Sequence, residues 1–119
     1  MFPTVTRQLK FQWTLESGEA IMLEDDCPVW GEIPNILEHF PTNCNGLVDV
    51  AVGREYSPQW ILPSLVDTYI ALDGTTENFP LTGETVEKGE AIWVRIRNRG
   101  VNPHTITVVV TTVGTEEKG

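Results

Sequence analysis

The chain has 119 residues, with 17 acidic against 8 basic side chains and a formal net charge of −9. That length fits one domain with a real core, and a field of that sign repels phosphate backbones, which excludes nucleic acid as an expected partner. No stretch approaches the ~20 apolar residues of a membrane span, and the start carries no basic-then-apolar leader, so cytoplasmic synthesis without a signal peptide and no membrane partner are expected.

Thr4–Leu15 alternates Val5, Leu9, Phe11, Trp13 and Leu15 with polar residues, a period of two that predicts a strand and places Trp13 in the core. Glu16–Glu19 reads as a turn, and Ala20–Leu23 as a short strand paired back on the first. Pro34 removes a ladder donor, so a strand over Trp30–Phe40 should start after it or lie at an edge. Pro41–Gly46 ends in Asn-Gly, a dipeptide suited to a tight hairpin.

Leu47–Val52 is nearly continuous in apolar residues, as in a strand covered on most of both faces. Gly53–Pro63 is an aromatic loop bounded by proline, Val66–Leu72 reads as a strand, and Thr75–Gly83 as a connection. Ala91–Arg97 and Thr105–Val113 alternate again and read as two strands joined by a turn, leaving a frayed tail at Gly114–Gly119. Helix signatures are almost absent. The expected fold is all-β: a single antiparallel β-sandwich of seven to nine strands over residues 1–119, jelly-roll or immunoglobulin/cupredoxin-like in type.

Chemistry is sparse. His39 and His104 accompany Ser17, Ser57, Cys27 and Cys44 in no recognisable nucleophile signature. The acidic turns Glu24-Asp25-Asp26 and Asp73–Asn78 lack calcium-loop spacing. Cys27 and Cys44 have sixteen residues between them and match no CxxC site, so free, partly buried thiols are expected, with a disulfide left open. No catalytic residue, metal ligand or cofactor is expected.

The aromatics point elsewhere. Trp93 has the opposite parity to Ile92, Val94 and Ile96 and shares it with Arg95, so both should face away from the core. Tyr56 and Trp60 lie in the Pro-bounded loop. Trp and Arg anchor interfaces disproportionately, which makes Trp93, Arg95, Tyr56 and Trp60 the candidate contact residues. Tyr56 and Trp60 could alternatively stack on a sugar ring, as in a carbohydrate-binding module.

Two resemblances bear on the reading. Lys88–Asn98 followed by Asn102–Val108 resembles one hairpin of cupredoxin-like sandwiches, in which a His opens the second strand as a copper ligand. The residues after His104 supply none of that family's remaining ligands, so the resemblance implies sandwich geometry and not copper. More broadly, Ile36–Phe40, Pro41–Val50 and Asn102–Val108 resemble small β-sandwich decoration and accessory proteins of tailed viruses and prophages. That resemblance implies a virion protein that assembles with itself, as a trimer or larger ring, and with a capsid or other virion protein.

Overall fold

The computed structural model describes residues 2–56 and 59–118. Among them the chain forms nine strands and no helix: β1 (Val5–Leu15), β2 (Ala20–Asp26), β3 (Trp30–Phe40), β4 (Val48–Arg54), β5 (Trp60–Leu62), β6 (Thr75–Pro80), β7 (Thr85–Val86), β8 (Ala91–Asn98) and β9 (His104–Thr115). One sheet runs β1-β9-β3-β6, with β7 also on β3, and the other runs β2-β8-β4-β5. Every pairing is antiparallel. The expected all-β sandwich is the fold.

The period of two explains the core. Leu9 and Phe11 of β1, Ile36 and Phe40 of β3, and Ile106, Val108 and Val110 of β9 point inward from one sheet. Val48, Val50 and Val52 of β4 and Ile92, Val94 and Ile96 of β8 meet them from the other. Burying this much branched aliphatic surface drives the sheets together. Nothing in a helix could present those alternating rows on one side.

Several local expectations change. The strands that look like hairpin partners are instead arches between sheets: β8 pairs with β2 and β4, whereas β9 pairs with β1 and β3. Asn98 fixes the β8–β9 arch, its Nδ2 donating to Leu15 O and Asn102 O while its Oδ1 accepts from Gly100 N. Likewise β2 pairs with β8 rather than folding back on β1. The Asn45-Gly46 turn also crosses between layers, with Asn43, Asn45 and Gly46 all at positive φ.

Pro34 lies inside β3 and not before it, because the β3–β9 register slips between Glu32 and Asn35 and frees that position from the ladder. Val66–Leu72 is not a strand: Asp67 has φ 62, and only Ile70 bridges to Val50. Conversely, Thr75–Pro80 is the paired strand β6 and not a connection. Gly114 and Thr115 belong to β9, opposite Val5, Gly31 and Trp30, so the tail starts later than expected, and Gly119 lies outside the described residues. Gly31 and Gly114 must both be glycine, since a Cβ on either would collide with the facing backbone.

β4 is the most enclosed strand, with all seven residues buried. The core covers one face. The other is covered by the side chains of Trp60 of β5, Trp93 of β8 and Tyr69 of the segment after β5, which shape the surface described next.

Candidate assembly surface

On the outer face of the β2-β8-β4-β5 sheet, the side chains of Trp93, Arg95 and Arg97 follow one another along β8. Trp93 crosses the strand toward Gly53, where a Cβ would lie 2.0 Å from the indole ring. Its Nε1 donates to Arg54 O at 3.3 Å. Trp60 stands edge-on to Trp93 with ring centres 4.9 Å apart, and Tyr69 stands edge-on to Trp60 at 5.9 Å. Arg95 lies 5.1 Å from the Trp60 ring centre and 4.8 Å from that of Trp93, within cation–π range of both.

This arrangement corrects the expected exposure of two candidate residues. Trp93 is 8 % exposed and Trp60 6 %, each covered by the subunit's own aromatic cluster. The parity is as expected, but Trp60 of β5 and Tyr69 pack over that face, and the Trp93 indole fills the space that Gly53 leaves open. Trp60 therefore does not form a free stacking platform with Tyr56: its ring is occupied by Trp93, Tyr69 and Arg95. Tyr56 is exposed, and Arg95 is half-buried above the rings. Ser57 and Pro58, next to Tyr56, lie outside the described residues.

Two ion-pair systems brace the same sheet. Arg54 Nε and Nη2 bind Glu90 Oε2 and Oε1 at 3.0 and 2.8 Å, both side chains being buried. Glu90 also accepts from Glu87 N and Tyr56 N, so its oxygens are fully used. At the other end Asp49 binds Arg97 and Arg99. Burial alone would raise the Asp49 carboxyl, but the Arg99 and Arg97 hydrogen bonds outweigh it and hold the group below its ordinary value. Arg97 also lies 4.2 Å from the Tyr69 ring centre.

Exposed apolar side chains stand at several places on the surface, among them Trp13, Met22, Leu47, Leu65, Val66 and Val101. Trp13 is 42 % exposed although it shares the inward row of β1, which corrects its expected place in the core. β1 and β2 are both sheet edges on the same side of the sandwich, and β2 is too open a cover to enclose so large a ring. Met22 on β2 is 51 % exposed and lines a cleft of about 320 Å³ with Tyr69, Arg95 and Arg97. Leu65 and Val66, in the loop after β5, are 68 % and 61 % exposed. Sequence alternation could not flag Trp13, because it reports which way a side chain points and not whether a facing strand covers it.

Of the remaining polar groups, Cys27 and Cys44 are free and buried, and burial pushes both thiols up. No group of three His, Cys, Asp or Glu side chains converges on a metal-sized site among the described residues.

No family model matches the chain, and no curated protein matches it. Among solved structures it is similar to FLHE, with a TM-score of 0.47 and 14 % identity over 92 % of this chain and 96 % of that one. It is similar to the same degree to a chain of the cyanophage Pam1 capsid asymmetric unit, with a TM-score of 0.47 and 14 % identity over 94 % of this chain and 84 % of that one. Likeness at this level says nothing about activity or partner.

Proposed function

We propose that this chain is a non-enzymatic structural protein of a virion, a β-sandwich that oligomerises and docks on a capsid or other virion protein. One observation carries the assembly role: large apolar side chains stand open along one edge and one loop, namely Trp13, Met22, Leu65 and Val66. Singly exposed apolar residues are ordinary, but Trp13 and Met22 sit on two edge strands of the same side, where unpaired backbone is also available. The virion setting is supported by the resemblance of the Ile36–Val50 and Asn102–Val108 segments to tailed-virus accessory sandwiches. In this role Tyr56 and Arg95 are the reachable members of the original candidate set, and Trp60 and Trp93 support Arg95 from beneath.

Quantitative peptide mass spectrometry of purified virus particles from the source culture tests this function. The chain should be present at a fixed ratio to the major capsid protein. Its absence from particles, with abundance in the soluble lysate, overturns the proposal.

A further inference from the structure

The two edge strands on one side of the sandwich carry opposite charge. β1 holds Arg7 and Lys10 and no acidic residue; β2 holds Glu24, Asp25 and Asp26 and no basic one. Arg7 is already paired with Glu116, but among the described residues Lys10, Glu24, Asp25 and Asp26 make no ion pair. Each edge therefore offers unpaired backbone, an exposed apolar side chain and uncompensated charge, and the two sets are complementary.

We propose that a second copy of this chain occupies this edge, related by a two-fold axis running along the strands, so that β1 of each copy pairs with β2 of the other. The proposal rests on the assembly role and names its partner surface. Such a rotation exchanges the layers: the β1 sheet of one copy continues into the β2 sheet of its partner, and the reverse happens below. It keeps strand direction, and β1 and β2 run antiparallel because the four-residue turn Glu16–Glu19 links them, so the new pairs are antiparallel too. Both contacts form at once, which closes the dimer and removes both edges.

The side-chain faces agree. Directly opposed residues must share a face, and Lys10, Glu24 and Asp26 all lie on the outward row of their strands. Trp13 lies on the inward row, as do Ile21 and Leu23 of β2, so the partner's β2 would supply the cover that Trp13 lacks. Pairing β1 with a second β1 would set basic strand against basic strand and leave the acidic run unanswered.

Charge-reversal mixing tests this on the full chain. Lys10→Glu alone, and Glu24→Lys with Asp26→Lys alone, should each weaken self-association about tenfold or more by native mass spectrometry. All three positions are exposed, and circular dichroism checks that each variant keeps the fold. An equimolar mixture of the two variants should restore dimers, all of them mixed, because each copy then meets opposite charge at both contacts. An oligomer indifferent to both reversals, or a mixture with no preference for mixed dimers, overturns this interface while leaving the assembly role intact. A wild-type chain that stays monomeric overturns both.

Discussion

Glu38 is the residue most at odds with its surroundings. It points inward from β3 between Ile36 and Phe40, is fully buried, and neither carboxylate oxygen has a hydrogen-bond partner among the described residues. Burial pushes its pKa from 4.5 up to about 8, so the folded chain holds it protonated at neutral pH. The folded value is raised, so the native state binds a proton that the unfolded state has released. Stability should therefore fall as pH rises from about 4.5 toward about 8, by roughly 1.4 kcal/mol per pH unit from this group, and level off above. Urea melts of wild type and Glu38→Leu at about pH 6 and about pH 9 check this. The variant should gain on wild type as pH rises; equal pH slopes for the two would show that Glu38 is not the titrating group. The sequence did not mark this position, because Glu38 stands in a segment without a clean apolar alternation, and only the pairing of β3 turns it inward.

At the scale of elements, the alternating rows were legible and their pairing was not. β1, β4, β8 and β9 follow from period-two patterns or a continuous apolar run. Which strand lies beside which depends on the arches, and a turn motif looks the same whether it closes a hairpin or crosses between layers. The same ambiguity affected the candidate residues: parity placed Trp93 on the outer face, but the cover over that face comes from Trp60 of the short strand β5 and Tyr69 of the segment after it, whose placement no periodicity encodes. If that cover is integral to β4 rather than an ornament, Trp60→Ala should destabilise the domain by about 3 kcal/mol, because it opens a cavity against Trp93 and Tyr69. Equilibrium unfolding in urea measures it. A loss below about 1 kcal/mol would mean that the aromatic cluster adds little to holding the sheet.

At the scale of the molecule, the sandwich is long and narrow, 52 × 22 × 21 Å, with Trp13 and Met22 exposed on its two edge strands β1 and β2. A net charge of −9 keeps such a particle soluble and opposes random association, so a contact that forms must be specific. The acidic edge of β2 and the basic edge of β1 would supply that specificity where the global field is repulsive. Sedimentation equilibrium of the intact chain at micromolar concentration tests the assembly role most directly. The expected result is a single species at a whole-number multiple, two or more, of the 13.3 kDa subunit. A mass that stays at one subunit across the whole concentration range would contradict it.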